Sequence, residues 1–177
     1  MYTGYSKKKE IEMMSFESVK SYFASYGLAD RVHAVAHSSA TVEEAAEAIG
    51  CQPKQIAKTM SFFVEEQPIL IVVAGDAKID NKKYKAFFHK KAKMIPWDQV
   101  ESVIGHAPGG VCPFAVASGV EVYLDVSLKR FQRVYPAGGD GNSFVSLNIP
   151  ELQQYANAKV WVDVCSGWFI NEESNIA

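Results

Sequence analysis

Two neighbouring runs of strand-forming residues constrain the fold of this chain more than any other feature. Residues 56–64 (IAKTMSFFV) and 68–74 (PILIVVA) are mainly β-branched, aromatic or otherwise apolar, and Glu65-Glu66-Gln67 separates them. Two such runs joined by a short polar segment are typical of a β-hairpin. We therefore expect a β-sheet that contains this hairpin.

Shorter predicted elements lie on both sides of the hairpin. Ser15 is a candidate N-cap of a helix that Gly27 ends, the capping box Thr41-Val-Glu-Glu44 begins a second helix, and Asp80 can cap a third. Further helices are expected over 97–104 and near 150–155, and further strands over 31–36, 93–95, 120–124, 131–135, 144–148 and 159–164. Strands outnumber strong helices and there is no regular βαβ rhythm. This pattern predicts the α+β class, a single domain with a mixed, barrel-like β-sheet and surrounding helices.

The predicted domain covers residues 14–170. Residues 1–13 are expected to be an N-terminal extension, either disordered or foreign to the domain, and they lack the apolar core of a secretory signal. The apolar runs are far shorter than the ~20 residues that span a bilayer. Cys51, Cys112 and Cys165 form no CxxC pair and are typical of free thiols in a reducing compartment. We expect a cytoplasmic protein without a membrane segment.

The charge of the chain is nearly balanced but unevenly distributed. Lys and Arg number 18 against 20 Asp and Glu, a net charge of -2, which argues against a wholly electrostatic nucleic-acid binder. However, seven lysines fall between Lys78 and Lys93, and Asp80 is the only acid among them. This basic stripe suits phosphate contacts, although a solvated helix face would show the same pattern.

Lys58 is unusual within the first strand-forming run. Side chains alternate along a strand, so Lys58 shares its face with Ile56, Met60 and Phe62. A cation on this apolar face is costly unless it lines a pocket and meets an anion or a carbonyl group. The alternative is that Lys58 lies at the exposed start of the strand and extends its ammonium group into water.

Residues 105–113 (GHAPGGVCP) form a loop rich in turn-forming residues. Gly109-Gly110 allows a ligand close to the backbone, whose N–H groups could stabilise an oxyanion; a rigid turn without a ligand is the alternative. His106 is the histidine best placed for proton transfer or substrate binding. Cys112 follows six residues later, so a Cys–His nucleophile pair is also considered, although no third orienting group is evident.

Two further segments are candidates by composition. Asp125 precedes Val-Ser-Leu and is most simply an N-cap. Gly138-Gly139-Asp-Gly-Asn142 is a flexible turn that could border a pocket.

Taken in order, these motifs resemble the YbaK/EbsC family of aminoacyl-tRNA deacylases. The shared pieces are AAEAIGCQPKQIAKTM, the hairpin ending in PILIVVAGD, GHAPGGVCPF, VYLDVSLKRF and a glycine-rich turn. Proteins of this family are similar to the editing insertion domain of bacterial prolyl-tRNA synthetases. The resemblance runs from about residue 15 to residue 164 and implies an α+β fold with a small cavity in a barrel-like sheet.

The resemblance assigns roles to particular residues. The critical lysine of the family matches Lys58, and we expect the neighbouring Thr59 to contact the substrate. The loop that borders the aminoacyl group and the terminal adenosine matches Gly105, His106, Pro108, Gly109, Gly110 and Pro113. The family's aspartate matches Asp125, and the cavity edge matches Gly138-Gly139, although Asp140-Gly141 differ from the commonest pattern. The basic stripe then provides tRNA backbone contacts through Lys82, Lys83, Lys90 and Lys91.

The implied activity is hydrolysis of the ester that joins a mischarged small amino acid to the 3′ end of tRNA. Lys58 and His106 are the expected catalytic residues, tRNA is the expected partner, and a synthetase is a second candidate partner. Neither a cofactor nor a metal is required. The alternatives are a non-catalytic module that binds tRNA or a small ligand in the same cavity, and a hydrolase that depends on Cys112.

Overall fold

The computed structural model describes residues 4–37 and 41–169. The helices are α1 (Gly4–Ala24), α2 (Val42–Ile49), α3 (Asn81–Phe88), α4 (Trp97–Ile104) and α5 (Ile149–Tyr155). The strands are β1 (Val32–Ala34), β2 (Ile56–Val64), β3 (Gln67–Ala74), β4 (Lys78–Ile79), β5 (Glu121–Asp125), β6 (Arg133–Pro136), β7 (Ser143–Val145), β8 (Leu147–Asn148), β9 (Val160–Val162) and β10 (Cys165–Ser166). The predicted domain end at residue 170 lies outside the described residues.

Local capping explains where the short helices begin and end. The Thr41 hydroxyl accepts a hydrogen bond from the Glu44 backbone N–H, and the Glu44 carboxylate accepts one from the Thr41 N–H, so the predicted capping box is confirmed. Gly50 ends α2 in the left-handed conformation. Asp80 accepts hydrogen bonds from two backbone N–H groups in the first turn of α3, as predicted.

The first helix begins earlier than we expected. Ser15 is not its N-cap, because α1 starts at Gly4 and Ser15 lies in its second half. The prediction was wrong because residues 7–12 are mostly good helix formers and continue the helix upstream. Residues 4–13, which we assigned to an extension, are therefore part of α1. Val19 and Phe23 of this helix are fully buried.

The predicted hairpin lies at the centre of a mixed sheet. Strands β2 and β3 are antiparallel from the Ala57–Ala74 pair to the Val64–Gln67 pair. The six strands follow the order β8-β6-β2-β3-β5-β9, with parallel pairing of β2 with β6, β3 with β5, and β5 with β9. The α+β fold with a curled, mixed sheet is thus confirmed. Small antiparallel pairs, β1 with β7 and β4 with β10, lie outside it.

Two predicted strands differ from the structure. The strand expected over 144–148 is interrupted at Ser146, whose N–H donates to the Arg31 carbonyl, so that β7 pairs with β1 and β8 pairs with β6. The strand expected over 93–95 is a single bridge between Met94 and Phe62.

The core forms around β3, which is covered on both faces. Residues 69–74 are at most 1% exposed, as expected for a central strand with no solvated face. Tyr84 of α3 packs against Phe62 of β2, with ring centroids 5.4 Å apart. Phe23 of α1 packs edge-on against Phe114, at 4.8 Å. No helix within residues 4–37 and 41–169 is long and apolar enough to cross a membrane.

Candidate functional site

A cavity of about 520 Å³ opens beside strand β2, within the range typical of small-molecule sites. Helix α2, the start of α4 and two glycine-rich loops complete its walls. The lining residues are Val35, Thr41, Val42, Ala45, Ala48, Ile49, Ile56, Ala57, Lys58, Thr59, Met60, Ser61, Met94, Ile95, Trp97, Val100, Pro108, Gly109, Val111, Tyr135, Ala137, Asp140, Ser143 and Phe144. Most of this surface is apolar, so the few polar groups in it determine which ligand chemistry fits.

Lys58 is the cation of this cavity. It is half-buried on β2, and its Nζ donates a hydrogen bond to the Gly75 carbonyl at 3.4 Å. Within the described residues no carboxylate forms an ion pair with it, because the nearby Asp76 is bound by Arg130 through two contacts of 2.5 and 2.9 Å. Burial lowers the pKa of Lys58, and Cys165 and Asp76 only partly oppose that shift. The ammonium group can therefore bind an oxygen of a ligand.

Thr59 borders the same cavity and carries an unused polar group. Its Oγ1 is buried and has no hydrogen-bond partner in the described part of the chain. A buried hydroxyl without a partner costs free energy, on the order of 1–3 kcal/mol. Because this oxygen has almost no accessible surface, a ligand in the cavity can reach it only if the Thr59 side chain rotates.

The two glycine-rich loops are packed against each other. A Cβ on Gly110 would lie 2.4 Å from the Gly139 carbonyl oxygen, and a Cβ on Gly139 would lie 2.6 Å from the Ser15 carbonyl oxygen. Side chains cannot occupy these positions without moving the backbone. Glycines at both positions therefore hold the loops and α1 together at the cavity edge.

The loop residues predicted to contact substrate divide into two groups. Pro108 and Gly109 line the cavity, whereas Gly105, Gly110, Pro113, Gly138 and Gly139 are outside its lining and shape the loops. The Gly110 N–H donates to the Ala107 carbonyl at 3.0 Å, so it is not available to an oxyanion. The Gly109 N–H makes no hydrogen bond in the described residues and remains a candidate donor.

His106 does not reach the cavity. It is 1% exposed; Nε2 donates to the Phe114 carbonyl at 2.6 Å, and Nδ1 therefore accepts from the Ser15 hydroxyl. Burial lowers its pKa, which favours this neutral form. Both ring nitrogens are used to join α1 to the loop, so the geometry favours a positioning role over the predicted catalytic one. Sequence spacing offered no signal for Ser15, which lies 91 residues away.

The candidate Cys–His pair is geometrically close but chemically unsuited to nucleophilic attack. Cys112 Sγ lies 3.5 Å from His106 Nε2, the nitrogen that donates to Phe114. Burial raises the pKa of Cys112 to about 12, so the thiol stays protonated near neutral pH. Cys112 is fully buried and does not line the cavity.

Asp125 is the N-cap that its sequence position predicted. It accepts hydrogen bonds from the backbone N–H groups of Ser127 and Val164, each at 2.9 Å. It is completely buried and does not line the cavity. Because it lies outside the cavity lining, the substrate contact that the resemblance implied for Asp125 stays a prediction.

The four lysines assigned to the tRNA backbone differ in their surroundings. Lys83 forms an ion pair with Asp163 at 2.9 Å, and Lys90 forms one with Glu65 at 2.7 Å. Lys82 and Lys91 are exposed and have no ion-pair partner in the described residues. None of the four lines the cavity, so their contacts would be to parts of a ligand outside it.

Two exposed apolar residues at the cavity edge were not predicted. Trp97 is 73% exposed and Met94 is 57% exposed, and both line the cavity. Their sequence positions are compatible with burial, so no local pattern distinguished them from core residues. Among the described residues, no cluster of three His, Cys, Asp or Glu side chains could hold a metal ion.

Comparison with known proteins gives one family match and several relatives. Residues 36–155 match the model of the aminoacyl-tRNA editing domain. The uncharacterized protein YwhH of Bacillus subtilis (strain 168) is 51% identical over 156 residues, covering 88% of this chain and 99% of YwhH. A proline–tRNA ligase of Lactiplantibacillus plantarum is 27% identical over 122 residues, covering 68% of this chain and 21% of the ligase. The match thus spans about a fifth of the ligase's length.

Solved structures show the same fold. The crystal structure of a protein proposed to be a trans-editing enzyme for prolyl tRNA synthetase has a TM-score of 0.78 and 27% identity, covering 86% of this chain and 98% of that one. A hypothetical protein of known crystal structure has a TM-score of 0.75 and 25% identity, and the match covers 84% of this chain and 99% of that protein.

Proposed function

Since this chain belongs to the aminoacyl-tRNA editing domain family, we propose that it hydrolyses the ester of a mischarged aminoacyl-tRNA in trans. The observation that carries the proposal is a half-buried lysine without a carboxylate partner, Lys58, inside an otherwise mostly apolar cavity. An aminoacyl ester needs two things from its site. Its carbonyl or a neighbouring phosphate needs a polar or charged partner, and its amino-acid side chain needs an apolar wall.

The reaction requires little chemistry from the protein. Water adds to the ester carbonyl carbon, negative charge develops on the carbonyl oxygen, and the bond to the ribose oxygen breaks as that oxygen takes up a proton. Lys58 can stabilise the developing charge or bind a phosphate that positions the ester, and the Gly109 N–H can contribute a hydrogen bond. Thr59 lines the cavity, and its hydroxyl can bind the substrate once the side chain rotates towards it. His106 positions the loop.

Selectivity would follow from the size of the cavity. Its apolar wall comes partly from Val42, Ala45 and Ile49 of α2. A cavity that is filled by a small amino acid excludes a larger one, which is the logic of double-sieve editing. One methylene group in such a pocket changes the transition-state free energy by about 1–3 kcal/mol.

The proposed tRNA contacts outside the cavity are the basic stripe residues Lys82, Lys83, Lys90 and Lys91. Exposed ion pairs are weak, at ~0–1 kcal/mol, so Lys90 can exchange its carboxylate partner for a phosphate. Lys83 is more constrained, because its ammonium group also donates a hydrogen bond to the Cys165 carbonyl at 2.9 Å. The relation to proline–tRNA ligases also suggests a synthetase as a second partner.

A second candidate function is binding without turnover. It is favoured by the positions of His106 and Cys112, because neither residue presents a proton acceptor or a nucleophile to the cavity. Such a module would bind tRNA in a salt-dependent way and leave the ester intact.

A panel of mischarged tRNAs separates the two functions. The purified protein is incubated with tRNAs that carry labelled amino acids of increasing size, and released amino acid is measured over time. The proposal predicts release of one or a few small amino acids, and none from the same tRNAs incubated with Lys58→Ala. Tight tRNA binding without release of any amino acid would establish the binding module instead.

A further inference from the structure

The edge of the cavity carries an exposed indole ring that the proposed chemistry does not use. Trp97 is 73% exposed and Met94, which also lines the cavity, is 57% exposed. In residues 4–37 and 41–169, no other ring packs against Trp97 and no hydrogen bond uses its N–H group. A large exposed aromatic surface at a cavity edge is typical of a binding contact.

The backbone that carries this ring is held in place. Trp97 is the first residue of α4, and the buried Val100 and Ile104 anchor that helix in the core. On the other side, Met94 is bridged to Phe62 of β2. The indole therefore sits on a regular element next to the cavity, and a ligand can use its face without first ordering a loop.

The charge of the adjoining segment indicates the kind of ligand. Lys90, Lys91 and Lys93 lie within the four residues before Met94, and all three are exposed. Only Lys90 has an ion-pair partner among the described residues. A chain of phosphates with flat, apolar bases would meet the lysines first and then the indole, which is the arrangement found where proteins bind single-stranded nucleic acid.

We propose that Trp97 stacks on a base of the unpaired 3′ end of tRNA while the aminoacyl ester lies in the cavity. Met94 borders the same base, and Lys93 neutralises a neighbouring phosphate. The inference rests on the proposed function for the identity of the ligand. It adds a positioning contact that holds the end of the tRNA at the cavity entrance.

The test uses an uncharged RNA trinucleotide, CCA, so that binding is measured without any hydrolysis. Indole fluorescence is recorded during the titration, because a base stacked on a tryptophan quenches it. The chain has three tryptophans. Trp161→Phe is the matched control, because Trp161 does not line the cavity and its N–H donates a hydrogen bond to Gln153. Replacing this indole should leave the quenching by CCA intact.

Replacing the ring gives the decisive comparison. We expect Trp97→Ala to weaken CCA binding by about 5-fold to 150-fold, the range measured for base–aromatic contacts. Trp97→Phe should retain most of the affinity, while Trp97→Leu, which keeps apolar volume but no aromatic face, should lose it. With a mischarged tRNA, Trp97→Ala should raise KM more than it lowers kcat.

Three results would overturn the inference. One is equal CCA affinity in the wild type and Trp97→Ala, and another is equal affinity in Trp97→Leu and Trp97→Phe. The third is a wild-type dimer that Trp97→Ala makes monomeric in sedimentation, because the ring would then be covered by a second copy. If CCA binding depends on Trp97 but the protein releases no amino acid from any mischarged tRNA, the proposed hydrolysis is refuted and the role of Trp97 stands.

Discussion

Gly110 offers a sharp test of how the cavity edge is built. A Cβ at this position would lie 2.4 Å from the Gly139 carbonyl oxygen and 2.7 Å from the Asp140 Cα, whereas ordinary contacts begin at 3.4 Å. Gly110→Ala must therefore push the two loops apart by about 1 Å. Both neighbours are backbone atoms, so no flexible side chain can absorb the shift.

The magnitude of the effect follows from this displacement. Overpacking of this kind costs ~1–3 kcal/mol, which lowers the Tm of a domain of this size by about 2–12 °C. Moving groups at the cavity edge by about 1 Å can lower the deacylation rate by about 10²-fold. Calorimetry and release of labelled amino acid from mischarged tRNA measure the two effects.

Matched glycine variants identify the cause. Nothing lies within 4 Å of a Cβ on Gly141, in the neighbouring loop, so Gly141→Ala should keep the wild-type Tm and rate. Gly109 also has open space but a φ of +94°, so Gly109→Ala reports backbone strain without a clash. If Gly110→Ala behaves like Gly141→Ala, the proposed packing of the two loops is refuted.

Three further outcomes are expected. Cys112→Ser should deacylate at the wild-type rate, because a thiol with a pKa of about 12 is not a nucleophile near neutral pH; loss of activity with an unchanged Tm would contradict this. Just below pH 6.5 the unfolded chain takes up a proton that buried His106 resists, so the free energy of unfolding should fall as the pH falls. Calorimetry should show a smaller fall for His106→Gln, and identical pH profiles would argue against the buried neutral ring. The Lys82→Glu/Lys91→Glu variant should weaken tRNA binding and reduce the slope of log Kd against log salt by about two; an unchanged slope would remove these lysines from the tRNA surface.

Local patterns in the sequence were sufficient where a single segment determines the structure. The hairpin of β2 and β3, the Thr41 capping box and the bounds of α4 were predicted correctly, because each depends on residues a few positions apart. The start of α1 was predicted wrongly, because a serine before an apolar residue is also compatible with a helix interior. The break at Ser146 depends on a backbone contact with Arg31, 115 residues earlier.

The candidate site was predictable in part. Alternation along β2 identified Lys58 as unusual, but whether its ammonium group reached water depended on how α2 and α4 pack beside the strand. The role of His106 depends on Ser15, a distant partner that spacing within the loop cannot reveal. Exposure of Trp97 likewise follows from the orientation of α4 in the fold, which its sequence alone does not determine.

The most direct measurement of the central claim compares deacylation by the wild type and by Lys58→Met, together with the Tm of each. Methionine keeps an unbranched side chain without the charge. We predict a loss of rate of about 10²-fold or more, as when a group that stabilises developing charge is removed. The Tm should be equal or higher, because burial lowers the pKa of Lys58 and the folded state therefore disfavours its charge. A Lys58→Met protein that releases amino acid at the wild-type rate would contradict the account.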